Sequence, residues 1–267
     1  MDLAERMKRY EAREAKRTLM PGLPALVRID GKRFSRWTHG LARPYDPRLS
    51  QLMIDVTLAL VEESNAVLGY TQSDEITLVL MASGDAEPWL GHRVAKLTSV
   101  LASLATAVFN QAIPDRIPER AGRMALFDAR AWAVPTREEA ANVLLWREHD
   151  ATKNSLSMAA RALYAHADLH GRRGAELHDL LHAKGVNWND YPAFFKRGTY
   201  VRREVIERRL TAEELADLPE KHEARRNPDL IVRRSALRAV SMPPFGTVDN
   251  RVGVVFEGEA PETVSGG

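Results

Sequence analysis

No cysteine occurs among the 267 residues, and that absence removes disulfides, thiolate nucleophiles and Cys-ligated zinc or iron–sulfur centres in one step. Any metal must therefore be held by oxygen or nitrogen. Long apolar runs are missing as well. Hydrophobic residues make up 45% of the chain, yet none of their runs approaches the roughly 20 residues that a bilayer demands, so neither a membrane span nor a membrane partner is expected. The opening MDLAERMKRYEAREAKR has no apolar segment of the secretory type, which makes the cytoplasm the expected location. Net charge is nearly absent, since 38 Lys+Arg against 36 Asp+Glu leave +2; global electrostatics alone does not mark a nucleic-acid binder. A Gly-x-x-x-x-Gly-Lys-Ser/Thr loop is lacking, which disfavours P-loop hydrolysis, and a Ser-His-Asp triad has no support from spacing alone. No internal repeat is evident.

What is present alternates between strand and helix signals. Residues 2–17 carry mixed charges and sparse apolar positions, as an exposed helical arm would. After the breakers Pro21, Gly22 and Pro24, the run Ala25-Leu26-Val27-Arg28-Ile29 reads as a strand that delivers Asp30-Gly31 at its end. Asp46 as N-cap and Pro47 at the first position then open a helix whose apolar residues Leu49, Leu52, Met53, Val56 and Leu60 keep helical spacing to about Ser64. Two β-prone runs, 66–70 and 76–80, flank Thr71-Gln72-Ser73-Asp74-Glu75 and predict a hairpin. A helix over 88–112 and a strand over Met124–Trp132 follow. The order is βαββαβ, the ferredoxin-like arrangement, in which an antiparallel sheet carries two helices on one face. Downstream, 136–166 and 174–184 read as helices and 197–209 and 229–239 as extended and basic, while about the last twenty residues are expected to fray. The predicted fold class is α+β: a core over residues 1–135 with its N-terminal arm, and a helical, basic C-terminal part over 136–267 packed on it.

The topology has a chemical consequence. First and third strands of such a sheet are neighbours, so Asp30 and Asp74 can meet on one surface. Two-metal phosphoryl chemistry needs carboxylates that hold two divalent cations about 3.5–4 Å apart, one activating the attacking oxygen and one steadying the leaving phosphate. Hard oxygen ligands suit Mg²⁺. Asp30 and Asp74 would bridge the ions, the Gly31 carbonyl could add a ligand, and Glu75 is the neighbouring carboxylate that completes the candidate catalytic set. The plainer alternative is that Asp-Gly is ordinary turn chemistry and Ser-Asp-Glu an ordinary polar hairpin tip.

Val27-Arg28-Ile29-Asp30-Gly31-Lys32-Arg33-Phe34, followed by Ser73-Asp74-Glu75 at the head of a hydrophobic strand, resembles the signature pair of the tRNA-histidine guanylyltransferase family. The resemblance continues through Phe127-Asp128-Ala129-Arg130, Asp150 to Ser155, Asp190-Tyr191-Pro192 and Lys196-Arg197-Gly198-Thr199, and so covers roughly residues 1–205. It implies a palm-like fold, commonly tetrameric, that adds nucleotides to the 5′ end of tRNA in the 3′-to-5′ direction. GTP and ATP are the implied nucleotides and two Mg²⁺ ions the implied metals. Position by position, it implies Asp30, Gly31 and Asp74 as metal ligands, and Asp30 to Ser35 (with Lys32, Arg33 and Phe34) together with Ser73 and Asp74 as the nucleotide site. Arg43 and Asp46 fall near the implied triphosphate. Arg93 and Lys96, three apart on the expected helix, fall on a basic pair, and Asn154 near the activated end. Where the family's histidine-tRNA enzymes read His-Ile-Asn-Asn-Leu-Tyr-Asn, this chain has Thr152-Lys153-Asn154-Ser155-Leu156-Ser157-Met158. Only Asn154 and Leu156 match, which favours the guanylyltransferase-like branch associated with repair of truncated tRNA 5′ ends.

Competing features are weaker. His166/His170 and His178/His182 have helical spacing, but the sequence indicates no third ligand and Asp179 stands where a zinc hydrolase has its general-base Glu. Between Lys196 and Arg238 stand 12 Lys/Arg against 8 Asp/Glu, a local excess of +4; a phosphate-tracking surface and a solvated face stitched with ion pairs fit this stretch equally. Two other functions remain open on the residues: a palm-fold cyclase acting on small nucleotides, and a catalytically silent RNA-binding module.

Overall fold

The computed structural model describes residues 1–82, 84, 86–227 and 229–264. The arm is helix α1 (Leu3–Ala15), capped by Asp2 and with no buried residue. Strand β1 (Ala25–Gly31) leads through the short α2 (Phe34–Trp37) to α3 (Pro47–Ser64), with Asp46 as its N-cap. The hairpin is β2 (Leu68–Gln72) and β3 (Glu75–Leu80). Helix α4 (Val94–Arg116) and strand β4 (Phe127–Ala133) follow. The long α5 (Arg137–Leu163), then α6 (Ala175–Ala183) and α7 (Ala193–Arg197), lead into β5 (Thr199–Arg209). Short helices α8 (Ala212–Asp217) and α9 (Glu223–Arg226) precede β6 (Ile231–Val240).

All six strands form one antiparallel sheet in the order β4-β1-β3-β2-β5-β6. Because successive side chains alternate between faces, Val27, Ile29, Ile76 and Leu78 pack against Leu52, Val56 and Leu60 of α3 and Leu97, Leu101 and Phe109 of α4. On the other face Leu26, Leu68, Tyr70 and Val79 meet Ala140, Ala141 and Leu144 of α5. The second half of α5 leaves the sheet and packs through Leu156, Ala159 and Ala160 on α6 and Trp188. Among the described helices α4 is long and apolar enough to cross a bilayer by composition, and here its apolar side is spent on the sheet.

Two expectations are corrected. Residues 88–93 are not the first turns of α4: Leu90, Gly91 and His92 take positive φ, and Arg93 is the N-cap. Apolar spacing reads on through such a turn because it senses which side chains face inward and not the backbone that places them. Nor does the described part of the last twenty residues fray. Phe245 lies just before that stretch and Val248, Val254 and Val255 within it, all buried on the α5 face of the sheet, and Val248 bridges Thr263. The Gly- and Pro-rich composition concealed an apolar anchor.

Candidate active site

β1 and the β2–β3 hairpin bring the two aspartates together. In register, Asp30 stands opposite Glu75 on β3 and opposite Asp128 on β4, and Asp74 occupies the two-residue turn immediately before Glu75. Gly31 N donates to the Asp74 carbonyl at 3.1 Å. A Cβ on Gly31 would lie 2.3 Å from Phe34 Cδ2 and 3.0 Å from Asp74 Oδ2, so a side chain here would collide with the Phe34 ring and crowd the Asp74 carboxylate. Two non-glycine residues beside the aspartates, Arg33 (φ 55°) and Ser73 (φ 51°), hold left-handed backbone, a costly conformation that tends to collect at functional sites.

The electrostatics of the pair favour a cation. Burial, and then the neighbouring Asp30 carboxylate, push the Asp74 carboxyl up to about 6, against partial relief from its own backbone and from Ser73 Oγ at 3.1 Å. Two carboxylates crowded in this way are stabilised when a divalent ion sits between them. The donor set fits a hard cation, with two carboxylates and an adjacent backbone carbonyl at Gly31. Among the described residues no three His, Asp or Glu side chains converge on a metal-sized point, so further ligands would come from substrate phosphate or water. The same observation leaves the two histidine pairs without a third ligand.

Glu75, opposite Asp30, is paired with arginine. Arg147 of α5 clamps it, Nε donating to Oε1 at 2.6 Å and Nη2 to Oε2 at 2.8 Å, while Arg28 Nε lies 3.8 Å away. Burial pushes the Glu75 carboxyl up and the guanidiniums of Arg147 and Arg28 pull it back. Arg147 Nη2 also donates to Asp150 at 2.9 Å, and Asn154 Nδ2 reaches the same carboxylate at 3.5 Å. A polar chain thus runs from the hairpin tip to the residue implied at the activated end. Sequence reasoning missed Arg147 and Glu148, although both interrupt the buried stripe of α5 where Leu144 and Ala151 set its period. Glu148 accepts from Tyr200 Oη at 2.8 Å and from Phe245 N at 2.7 Å.

The other candidate residues divide. Lys32, Arg33, Ser35, Arg43, Ser73, Arg93, Lys96 and Asn154 are exposed. The Phe34 ring is not available, being buried against Trp37, Phe109 and Phe127. Asp46 caps α3 and is held by Arg48, whose hydrogen bonds keep its carboxyl below the usual range. A cavity of about 260 Å³ lies among Glu148, Arg197, Tyr200 and Met242, and neither aspartate lines it. The two aspartates are half-buried outside that cavity.

The chain is similar to proteins of one family. The tRNAHis guanylyltransferase family matches residues 4–135. A tRNA(His) guanylyltransferase of Schizosaccharomyces pombe is 30% identical over 217 residues, which span 76% of this chain and 81% of that protein. The structure of a bacterial tRNA(His) guanylyltransferase-like protein in complex with ATP superposes with a TM-score of 0.71 at 37% identity, covering 76% of this chain and 87% of the other. A bacterial protein of the same description in complex with GTP gives 0.63 at 34%, covering 76% and 86%.

Proposed function

The chain belongs to the tRNAHis guanylyltransferase family, and from that premise we propose that this nucleotidyltransferase adds nucleotides to the 5′ end of tRNA in the 3′-to-5′ direction. The observation that carries the reading is the crowded pair Asp30 and Asp74, brought together where the end of β1 meets the β2–β3 turn beside Gly31. The β4-β1-β3-β2 order with α3 and α4 on one face supports a palm-like, ferredoxin-type core, which β5 and β6 extend. Asp30, Asp74 and the Gly31 carbonyl would hold two Mg²⁺ ions, which when bound supply activation of the attacking hydroxyl and stabilisation of the phosphate charge. Exposed Lys32, Arg33 and Ser35 follow Asp30 directly and would bind the triphosphate of GTP or ATP, with Arg43, Arg93 and Lys96 as further cationic partners. Asn154 would orient the activated 5′ end, held by Asp150 and Arg147. Glu75 serves as the anchor of that chain and not as a metal ligand.

Repair of truncated 5′ ends is the preferred substrate assignment. The altered stretch from Thr152 to Met158 supports it, as does the higher identity to the bacterial guanylyltransferase-like structures than to the fission-yeast enzyme. Assembly as a homotetramer belongs to the same reading, and Leu3, Met7 and Tyr10, exposed on α1, offer apolar surface for it. The deciding assay supplies Mg²⁺, nucleoside triphosphates and a 3′-labelled tRNA lacking its first nucleotide. Lengthening on the 5′ side is expected. Extension on the 3′ side only, or triphosphate turnover without RNA, would sink the assignment, the latter in favour of a small-nucleotide enzyme. Intact histidine tRNA as the better substrate would shift it to the other branch.

A further inference from the structure

The α5 face of the sheet is left partly uncovered toward β4, where it carries residues that the reaction above does not use. Side chains of directly opposed residues share a face, so register alone defines two neighbouring rungs. Asp128, Asp30 and Glu75 form an acidic rung, and Arg130, Arg28 and Thr77 form the next one back along β1. The two rungs lie about 7 Å apart, two residues of strand. Helix α5 covers the β3 side of this strip, where Arg147 is buried on Glu75. It leaves the β4 side uncovered, where Arg130 and Asp128 side chains are 54% and 61% exposed and only loosely paired at 3.9 Å.

Trp146 stands at the boundary between covered and uncovered halves. It is 52% exposed, although its neighbours Arg147 and Glu148 are buried. Two guanidiniums hold the indole, Arg147 at 4.6 Å and Arg28 at 5.8 Å from its ring centroid. The Arg28 Nε has no hydrogen-bond partner, so the ring and the Glu75 charge are what fix this side chain. An indole anchored from within and bare toward solvent loses little entropy when a second flat ring is laid on it.

We propose that Trp146 is a stacking platform for an unpaired nucleobase of the RNA substrate, with Arg130 contacting the adjoining phosphate. This rests on the assignment of an RNA-extending activity. Three features select RNA over the incoming nucleotide. Trp146 lies beside Arg28, opposite in strand direction to the Lys32–Ser35 segment assigned to the triphosphate. Arg130 continues the strip away from the acidic rung. Stacking is also indifferent to base identity, which suits an enzyme that must accept many 5′ ends.

The test measures binding separately from chemistry. Fluorescence anisotropy of a labelled tRNA lacking its first nucleotide, in EDTA, would be compared for wild type, Trp146→Phe and Trp146→Ala, with GTP and ATP binding measured in parallel with Mg²⁺. Trp146→Ala should weaken RNA binding on the order of tenfold, Trp146→Phe should retain most of it, and nucleotide affinity should be unchanged. Arg130→Ala should lower the salt dependence of RNA binding by about one phosphate contact. With the wild-type protein, a tRNA carrying 5-iodouridine beside its 5′ end should photocrosslink to Trp146. Unchanged RNA affinity in Trp146→Ala, a matching loss of nucleotide affinity, or a change of oligomeric state without a crosslink would each overturn the proposal. Normal 5′ extension alongside any of these would show that the platform fails while the proposed activity stands.

Discussion

Asp74 and Glu75 are adjacent, both acidic and both partly withdrawn from water, yet they face neighbours of opposite charge. Burial, and then the neighbouring Asp30 anion, raise the Asp74 carboxyl to about 6; burial raises Glu75 as well, but there Arg147 pulls the carboxyl back. For Asp74 the folded value lies above the unfolded one. The folded protein therefore binds the extra proton between about pH 4 and pH 6, and stability falls as pH rises through that window, with the full penalty present above 6. Asp74→Asn should abolish 5′ extension and still raise stability at pH 7 by on the order of 1 kcal/mol, after allowing for solvent access, with little gain at pH 4. Urea melts at the two pH values check this, and a variant less stable than wild type at pH 7 would refute the repulsion. A cation competes with the same proton, so Mg²⁺-dependent activity should decline below about pH 6. Arg147→Met strands a buried carboxylate and should cost about 3–5 kcal/mol, most of which the double variant with Glu75→Gln recovers; denaturant titration of both variants decides.

At the scale of elements, the site exists because the end of β1 meets the β2–β3 turn, with Gly31 packed under the Phe34 ring. Gly31→Ala would press a methyl group against the Phe34 ring, and with it Trp37, Phe109 and Phe127. We expect a loss of about 1–3 kcal/mol and a larger loss of activity, since Asp74 must move as well; a variant with wild-type kcat would show the contact to be relaxable. The β5–β6 ribbon gives a second element-level expectation. Its arginines are largely engaged within the protein: Arg202 with Glu204, Arg208 with Glu214, Arg209 with Asp229 and Arg233 with Glu207. Arg202→Ala and Arg208→Ala, which remove the closely paired arginines, should therefore leave the salt dependence of tRNA binding unchanged. A drop in slope of about one per substitution would instead make the ribbon a phosphate track.

The whole molecule is held by a sheet with a core on each face, and the second core is closed by the C-terminal segment. Phe245, Val248, Val254 and Val255 complete it, and the Phe245 amide satisfies the buried Glu148. Ending the chain after Met242 should expose this face and leave Glu148 short of a donor. The melting temperature should fall by about 10 °C or more, from several kcal/mol of lost burial in a chain of this size. Thermal unfolding of the truncated protein tests it, and an unchanged transition would return the segment to the status of a tail.

Local patterns were enough for much of this protein. Asp46-Pro47 opened α3, alternating Val27 and Ile29 marked β1, and Ser73-Asp74 marked a turn, because caps, periods and turns are decided within a few residues. The pairing of Asp30 with Asp74 followed from element order together with the quoted motifs. What only tertiary structure decided were the partners that lie far along the chain. Arg147 pairs with Glu75 across 72 residues, the Phe34 ring turns inward to an aromatic cluster, and a tail of glycine and proline closes a core. None of these leaves a short-range signal, since a charge inside a helical stripe or a phenylalanine after a strand reads alike until the opposite surface arrives. The aspartates were legible as a pair. That one is crowded into holding its proton, and that an exposed tryptophan stands one rung behind the other, depends on the sheet that brings β4, β1 and β3 side by side.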